Sequence, residues 1–525
     1  MVSIRPYFSL LRAVYVLMRE GVITALPNEG APPPVVAAKK VARLVERRKA
    51  KTVEQRTKLA NALNRLGPSW VKLGQFLATR PDIVGDSIAQ DLELLQDRMQ
   101  PFPTDEAKAT IAGTLGKSTD ALFVAFGEPI AAASIAQVHK ARVRDRDGTE
   151  RDVAVKVIRP GVRERFAYDL ETFYTAAHTL NRLFPPIRRL MLVPSVDMLA
   201  ESARLEMELR LEAAAFSEMG DNTKDDPGFR LPAIDWQRTG RDCITMSWVD
   251  GIKLNNIPAL QEAGQDLKAI ASNLIQSFLR HTIRDGFFHA DMHPGNLFVA
   301  PDGDIVAVDL GIAGRLGKAE RRYLAEILAG FIRRDYRRIA EVHFEAGYVP
   351  ATKDVDSFSQ ALRAVGEPIY GQTAEEIQMA GLLSLLFDIT EVFEMETQPQ
   401  LLLLQKTMVV VEGLARKLDP NFNMWQTAGP VVVPQATRLI GPLGRLDDAR
   451  EGLQAAGQLL RQAPDLAKRA QVLSEEIDAM ARDGVRLDKK TIDAIGKAEA
   501  RHSRSGRVAL WVIAISLAAM AWAQF

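Results

Sequence analysis

The segment 288–296, Phe-His-Ala-Asp-Met-His-Pro-Gly-Asn, constrains this chain more than any other. It places the carboxylate of Asp291 shortly before the amide of Asn296. A second segment, 305–311, is an apolar run that leads into Asp309. Oxygen ligands of this kind hold Mg²⁺ against phosphates, and phosphoryl transfer also needs an acid that orients the acceptor. The two segments predict a phosphoryl-transfer site in which Asn296 and Asp309 bind the metal and Asp291 is the orienting carboxylate.

Two other interpretations of these segments compete with that one. The first segment could be an ordinary turn, because Asn, Asp, Pro and Gly favour turns. Alternatively, His289 and His293 could be metal ligands, although no Glu lies between them and the following Pro-Gly would break a helix that aligned them. The turn interpretation does not explain why three ligands suited to Mg²⁺ recur at the spacing of the protein-kinase catalytic loop and metal-binding aspartate.

Lys156 lies in an alternating apolar run, which predicts a strand with one inward lysine. A helix rich in carboxylates follows, and a buried phosphate-binding lysine needs a carboxylate to hold it, for which Glu212 is the candidate. The alternative is a solvated helix face on which Glu206 and Arg210 form a pair worth about 0.2–0.5 kcal/mol. Glu208 and Glu212 would repel each other on one face unless each had its own cationic partner, and this favours a functional role.

Protein kinases cover the phosphates with a glycine-rich loop, and this chain has other residues in that place: Ala131, Ala132, Ala133, Ser134, Ile135 and Ala136. Alanine does not easily adopt positive φ or allow the close approach that glycine does, so the phosphates must be held differently. In addition, Gly311 leads almost directly to a helical pattern from about Lys318, with no room for a long activation segment. A protein substrate would have little surface on which to dock.

Composition narrows the function further. Lys and Arg (67) nearly balance Asp and Glu (66), so no global charge favours a nucleic-acid partner, and we expect none. The single cysteine, Cys243, excludes intramolecular disulfides and a thiolate zinc cage, and it suits a reducing cytoplasm. There is no Gly-x-Gly-x-x-Gly dinucleotide motif.

The last 18 residues, 508–525, carry no charge and follow a basic stretch. As a helix they would span about 27 Å, slightly less than a bilayer core of about 30 Å. Trp511 and Trp522 lie near the two ends like interfacial anchors. We expect a C-terminal transmembrane helix, and the alternative is a buried helix.

At the other end of the chain, residues 4–22 form an amphipathic basic pattern that either packs on the protein or lies on a membrane. It is not a cleavable signal peptide, because arginines interrupt the apolar stretch and no cleavage site follows.

Together these features resemble the UbiB family of atypical kinase-like proteins over roughly residues 40–440. The resemblance is carried by Lys-x-Gly-Gln at Lys72, Gly74 and Gln75, by the alanine-rich segment, by the Glu-rich helix and by the loop at 291–296. On its own, Gly74 within a helical pattern indicates only a tight helix crossing.

The resemblance implies an α+β, bilobal protein-kinase-like fold whose helical N-terminal extension covers the nucleotide site and blocks the place of a peptide. It implies that Lys72 pairs with Glu206 there. The family motif is Glu-x-Asp, whereas the third position here is Glu208, a longer side chain that keeps the charge. ATP and Mg²⁺ are the implied cofactors, with Met246 and Trp248 among the nucleotide contacts.

The resemblance also implies ATP hydrolysis in support of ubiquinone biosynthesis rather than protein phosphorylation. The implied partners are membrane lipid, polyprenylphenol quinone precursors and the ubiquinone biosynthesis enzymes, and a homodimer stays open. Bacterial members sit on the inner membrane and face the cytoplasm. Two alternatives remain, which are an ATP-binding scaffold with little turnover and a protein or small-molecule kinase.

The predicted domain order combines these features. It comprises an amphipathic helix and proline-rich linker (1–35), a helical extension with Lys-x-Gly-Gln (36–113), a kinase-like N-lobe (114–249), a C-lobe (250–443), an amphipathic helical tail (444–507) and a transmembrane anchor (508–525).

Overall fold

The structure is a computed structural model that describes residues 5–25, 39, 42–47, 55–78, 80–93, 95, 99–183, 188, 191–371, 389, 392–395 and 399–441. The chain divides into two compact units, Met1–Leu439 and Ile440–Phe525. The predicted linker up to residue 35, the tail at 444–507 and the anchor at 508–525 lie outside the described residues and stay predictions. No helix within the described ranges is both long and apolar enough to span a bilayer.

Helices make up most of the described chain. Before the first strand they are α1 Arg5–Arg19, α2 Val22–Ala25, α3 Gln55–Leu66, α4 Pro68–Ala78, α5 Pro81–Val84, α6 Asp86–Glu93, α7 Thr104–Leu115 and α8 Thr119–Leu122. Between strands they are α9 Val162–Leu183, α10 Leu192–Glu206, α11 Leu209–Thr223, α12 Ile257–Glu262 and α13 Leu267–Leu279. After the last strand they are α14 Lys318–Arg333, α15 Tyr336–Glu345, α16 Val355–Gly371, α17 Pro399–Leu418 and α18 Met424–Ile440.

The described strands form two sheets and a ribbon. They are β1 Ala125–Ala132, β2 Ala136–Arg144, β3 Glu150–Ile158, β4 Phe229–Arg230, β5 Cys243–Ser247, β6 Ile252–Lys253, β7 Phe287–His289, β8 Leu297–Val299, β9 Ile305–Ala307 and β10 Ala313–Arg315. The first sheet has the order β1-β2-β3-β5 and is antiparallel throughout. The second has the order β4-β9-β8-β6, and β10 pairs with β7 in the ribbon.

Side chains alternate between the two faces of the first sheet along β3, so its three valines lie on the same face. Val153, Val155 and Val157 are fully buried and pack with α7 and α8 in a single apolar cluster. Each fully buried valine contributes about 1.5–3 kcal/mol relative to an exposed one. The strand predicted around Lys156 is therefore present, and the lysine lies on the opposite face from the valines. Helix α7 shares this core and therefore packs with the first sheet. The predicted domain boundary at residue 113 instead assigned most of α7 to the helical extension.

The carboxylate-rich segment was predicted as part of one continuous helix, and this prediction is wrong. The helix stops at Glu206, and α11 begins at Leu209. Leu209 is fully buried, and its N–H donates to the carbonyl of Arg241 (3.1 Å) instead of continuing the helix. The break also prevents the Glu206–Arg210 pair of the alternative interpretation, because Arg210 binds Glu208 (2.6 Å).

The helical N-terminal extension packs closely around Gly74. A Cβ atom at this position would lie 2.4 Å from Leu95 Cδ1 and 2.6 Å from Leu63 Cδ1. Helix α4 also contacts α9, where the rings of Trp70 and Phe173 meet edge to face at 4.9 Å. The tight helix crossing predicted from Gly74 is confirmed. The separate contact with α9 places α4 beside the lobe that carries the first sheet.

The mainly helical C-lobe, predicted at 250–443, positions the two segments of the predicted site, 288–296 and 305–311. Asp266 caps the N-terminus of helix α13, and its carboxylate accepts from the N–H groups of Lys268 and Ala269 (3.0 Å each). It continues into a π-helical turn that ends at Gly286, where φ of +68° favours glycine. Strand β7 follows immediately. The sheet and the helical part together agree with the predicted α+β bilobal fold.

Candidate active site

Lys156 is the centre of the site. Its Nζ donates to both carboxylate oxygens of Glu212 on α11 (2.7 and 3.0 Å) and to Oδ2 of Asp309 (2.7 Å). The Glu212 partner agrees with the sequence prediction. The contact with Asp309 was not predicted, and it brings a residue that follows β9 against the first sheet.

The charges and the burial of this trio shift the pKa values of its three members. Burial disfavours an ammonium ion, but Asp309 and Glu212 outweigh it and raise the pKa of Lys156 above its ordinary value. Burial likewise opposes ionisation of Asp309, and the charge of Lys156 outweighs it, which lowers the pKa of Asp309 to about 2. Burial raises the pKa of Glu212. At neutral pH we therefore describe Lys156 as a cation and Asp309 as an anion.

The loop after β7 holds Asp291 and Asn296 in a defined turn. The Asp291 N–H donates to Nδ1 of the fully buried His289 (3.3 Å). The amide Nδ2 of Asn296 donates to the carbonyl of Asp291 (3.3 Å), and the N–H of Val308 donates to the carbonyl of Asn296 (2.9 Å). The loop and the segment before Asp309 are thus bonded to each other, as their predicted common site requires.

A distant helix also supports this loop. Thr407 on α17 donates its hydroxyl to the carbonyl of Ala290 (2.9 Å), and Ala313 on β10 pairs with His289. Thr407 was missed in the sequence, because a lone threonine in a helical pattern carries no local signal. His289 was considered only as a metal ligand, although its place two residues before Asp291 could have indicated a supporting role.

The zinc interpretation of the two histidines has no support. His289 is fully buried, whereas the exposed His293 accepts the N–H of Gly295 on its own Nδ1 (2.9 Å). In the part of the chain that the structure describes, no three His, Cys, Asp or Glu side chains are grouped as a metal site.

Magnesium needs fewer protein ligands, and the residues present fit it. Asp309 keeps 36% of its side chain exposed, and its Oδ1 accepts the Gly311 N–H (2.9 Å). Asn296 uses its amide nitrogen on the backbone, which leaves the amide oxygen as its metal-binding atom. One carboxylate and one amide oxygen, completed by water and phosphate oxygens, are the usual environment of Mg²⁺.

The alanine-rich segment forms the hairpin between β1 and β2. Ala131 and Ala132 end β1, Ala136 begins β2, and the N–H of Ala133 donates to the carbonyl of Ala136 (2.8 Å). Of the turn residues, Ser134 is buried and Ile135 is half-buried. Two residues further along β2, Val138 pairs directly with Lys156. The hairpin therefore has the position of a phosphate-covering loop, built from alanine instead of glycine.

Gln137 joins this hairpin to the N-terminal extension, a contact that no local sequence pattern predicts. Its fully buried amide accepts the N–H of Phe102 (2.9 Å) and donates to the carbonyl of Phe102 (3.1 Å). Its nitrogen also lies 2.8 Å from Nε2 of His139, whose Nδ1 lies 2.8 Å from the carbonyl of Gly127. Burial lowers the pKa of His139, and the network assigns its proton to Nδ1.

The two proposed nucleotide contacts, Met246 on β5 and Trp248 just after it, have different surroundings. Met246 is buried and pairs with Ala154, so it lies on the same face of the sheet as Lys156. Trp248 lies just beyond the strand, where its indole N–H donates to Asp250 (2.9 Å) and Lys140 Nζ lies 4.4 Å from the ring centroid.

The ion pair between Lys72 and Glu206 is present, as the resemblance implies. It joins α4 of the extension to the last residue of α10, and both side chains are largely buried. Gln75, one turn further along α4, is half-buried. Glu208 binds Arg210 and lies 3.8 Å from Arg241, and Arg210 lowers its pKa. Glu208 therefore has cationic partners of its own, separate from those of Glu206.

The chain after Asp309 is as short as predicted. Strand β10 begins at Ala313 and pairs back with β7, and α14 begins at Lys318. This leaves no long segment between Asp309 and the next helix. Instead, the backbone just before β10 contacts the segment 288–296, since the N–H of Ala290 donates to the carbonyl of Ile312 (3.0 Å).

A fold of two lobes, in which a lysine–carboxylate pair lies beneath a β-hairpin, is that of an atypical protein-kinase-like protein. The ABC1 atypical kinase-like domain matches residues 94–343, and the UbiB helical domain matches residues 362–423. The chain belongs to the UbiB family.

Its relatives include proteins named "Probable protein kinase UbiB" from three bacteria. The protein from Marinobacter nauticus is 38% identical over 78% of this chain and 74% of its own length. That from Histophilus somni is 39% identical over 72% and 71%, respectively. That from Photobacterium profundum is 34% identical over 91% and 89%. The relatives thus match this chain over most of their lengths.

Proposed function

We propose that this protein is a membrane-anchored, Mg²⁺-dependent ATPase that supports ubiquinone biosynthesis. The observation that carries the proposal is the bridge that Lys156 makes between Glu212 and Asp309, in a lobe pair whose alanine hairpin replaces a glycine loop. The short connection from Gly311 to Lys318 and the Lys72–Glu206 pair support water as the acceptor, because a peptide would have little room.

Each residue of the site has a proposed task. Lys156 binds phosphate oxygens through its ammonium group, and Glu212 keeps that group in place. Asp291 orients the attacking water through its carboxylate. Asn296 and Asp309 would hold Mg²⁺, which neutralises charge on the phosphates when it is bound. The residues at 131–136, with Met246 and Trp248, would contact the nucleotide.

The family and the sequence support the proposed substrate and location. The family name, carried by the relatives, supports a role in ubiquinone biosynthesis. The protein would act on polyprenylphenol precursors within the membrane lipid, or on the enzymes that process them. The uncharged stretch at 508–525 would anchor it to the bacterial inner membrane, with the kinase-like part facing the cytoplasm.

Hydrolysis of ATP by the purified full-length protein tests the proposal. Phosphate release should require Mg²⁺ and should fall about 100-fold or more in Asp309→Asn, since the variant loses the carboxylate that would hold Mg²⁺ against the phosphates. Asp304→Asn, the same replacement on the β8–β9 hairpin, is the matched control and should retain turnover.

Three outcomes of that assay would contradict the proposal. Undiminished turnover in Asp309→Asn would exclude the assigned site. Tight ATP binding without turnover in the wild-type protein would favour a scaffold. Labelled phosphate that appears on a separate acceptor rather than in solution would favour a kinase.

A further inference from the structure

Helix α1 presents large apolar side chains to solvent. The described chain leaves five of them exposed: Tyr7, Phe8, Leu11, Val14 and Tyr15. Phe8 keeps 67% and Leu11 65% of their surface accessible. Phe8, Leu11 and Tyr15 are three and four residues apart, so they lie along one side of the helix. We call these five residues the exposed face of α1.

A different side of α1 holds the helix on the protein. Pro6 and Ala13 are buried, and Ala13 belongs to an apolar cluster with Leu63, Leu66 and Val71 of the extension. Ala13 and the partly buried Val16 therefore make packing contacts, whereas Phe8, Leu11 and Tyr15 remain exposed. An amphipathic helix that only packs on its own protein would bury its large apolar side chains, so this arrangement needs another explanation.

The charge of α1 indicates what covers the exposed face. The helix contains Arg5, Arg12 and Arg19 and has no acidic residue. Glu20, just after the helix, is buried against Arg65 (3.1 Å) and Arg47 (3.6 Å), so its charge is balanced within the protein. A helix with large apolar residues on one side and arginines beside them is the pattern that binds in the plane of an anionic bilayer.

The segment that contacts the end of α1 has the same character. The N–H of Arg47 donates to the carbonyl of Arg19 (3.0 Å), which joins residues 42–47 to this helix. Leu44 in that segment is the most exposed large apolar residue described, and Arg43 beside it is also exposed. The apolar and basic surface therefore continues beyond α1.

We propose that the exposed face of α1 docks onto an anionic lipid bilayer, with Phe8 and Leu11 among the acyl chains and the arginines at the headgroups. The contact is additional to the proposed tail anchor, and it does not depend on ATP turnover. It would hold the N-terminal extension, and thus the Lys72–Glu206 pair, close to the membrane surface.

An environment-sensitive fluorophore on Leu11→Cys of the full-length protein tests this proposal. Cys243 is fully buried and is replaced by alanine in all labelled proteins. With phosphatidylcholine vesicles that contain phosphatidylglycerol, emission should shift to the blue and be quenched by dibrominated lipid. The same fluorophore on Val124→Cys, an exposed apolar position on the N-lobe, should show neither effect.

Arginine variants measure the electrostatic part of the contact. Arg5→Gln should weaken the lipid quenching at position 11 about fivefold, because one basic residue at an anionic surface contributes that factor. Arg146→Gln, on the exposed β2–β3 turn, should leave it unchanged. ATP hydrolysis without vesicles should be unaffected by all these variants, so its loss would concern the ATPase proposal alone.

The same labelled protein reveals the other possible occupants. A position 11 shielded from aqueous iodide before vesicles are added would show that the protein's own tail covers the face. Shielding that rises with protein concentration would show a second copy of the chain. A protein that floats with vesicles while position 11 remains unquenched would keep the membrane location and overturn the role of α1.

Discussion

Lys156 Nζ lies 2.7 Å from Asp309 Oδ2, so the lysine of the first sheet is held by the residue that would bind the metal. Glu212 holds the same ammonium group from α11. The trio therefore links the two parts of the fold through one cation. If Asp309 held Mg²⁺ as proposed, Glu212 would still keep Lys156 in position, with its ammonium group available to the phosphates.

Lys156→Met should abolish the stabilisation of the protein by Mg-ATP. The variant keeps a side chain of similar length but removes the cation, and it leaves the buried Glu212 without its partner. We also expect the free energy of unfolding to fall by about 1–3 kcal/mol. Thermal unfolding with and without Mg-ATP measures both effects. Lys268→Met, on the exposed side of α13, is the control, and an equal nucleotide-induced shift in the Lys156 variant would refute the role.

The Lys72–Glu206 pair should show a measurable coupling energy. A double-mutant cycle with Lys72→Met and Glu206→Gln is expected to give about 0.5–3 kcal/mol, because the two charges are largely buried and in direct contact. Denaturant unfolding of the four proteins measures it. The Arg204–Glu201 pair on the same helix is exposed and should give about 0.3 kcal/mol. Equal values for the two cycles would mean that the pair does not fasten α4 to α10.

Gly74→Ala should destabilise the extension by about 1–3 kcal/mol through overpacking. The added Cβ would lie 2.4 Å from Leu95 Cδ1 and 2.6 Å from Leu63 Cδ1, so the leucines must move. Gly413→Ala, in α17, meets no atom within 4 Å and should stabilise its helix by up to about 1 kcal/mol. Urea unfolding compares the two. If both variants gained stability, the close packing of α4 would be wrong.

Acid should destabilise the protein partly through His281. Burial lowers the pKa of His281 to about 3, whereas an unfolded chain has a histidine pKa of about 6.5. Below pH 6.5 the unfolded chain binds a proton that the folded chain does not, so stability is lost as the pH falls. Between pH 7 and 5.5 we expect a loss of about 1 kcal/mol from this residue.

His281→Phe should remove that share of the pH dependence. The residue already packs against the ring of Phe229, with 4.7 Å between ring centroids, so a phenyl ring fits the site. The same replacement at the exposed His178 on α9 is the control. Unfolding in urea at both pH values measures the difference. An unchanged loss in the His281 variant would show that another group is responsible.

Most of the site could be predicted from the sequence because its parts are locally encoded. Asp291, Asn296 and Asp309 lie in short segments whose residue types suit the chemistry, and Lys156 stands out in an apolar strand. Glu212 could be chosen because a buried cation needs a carboxylate.

Other features could not be predicted from local patterns, because they arise from contacts between distant segments. The helix break after Glu206 depends on a backbone bond to Arg241, and the support of the catalytic loop comes from Thr407 on a much later helix. Gln137 binds the backbone of Phe102 only because the segment before α7 passes beside β2. The apolar pattern of α1 predicted a helix, but it could not show that Phe8 and Leu11 would remain exposed.

Quinone profiling in bacteria tests the central claim most directly. A strain that lacks this gene is complemented with the wild-type gene, with Asp309→Asn or with the control Asp304→Asn, at equal protein levels. We predict that wild type and Asp304→Asn restore ubiquinone, whereas Asp309→Asn accumulates early polyprenylphenol precursors as the deletion strain does. Full restoration of ubiquinone by Asp309→Asn would contradict a nucleotide-dependent role in this pathway.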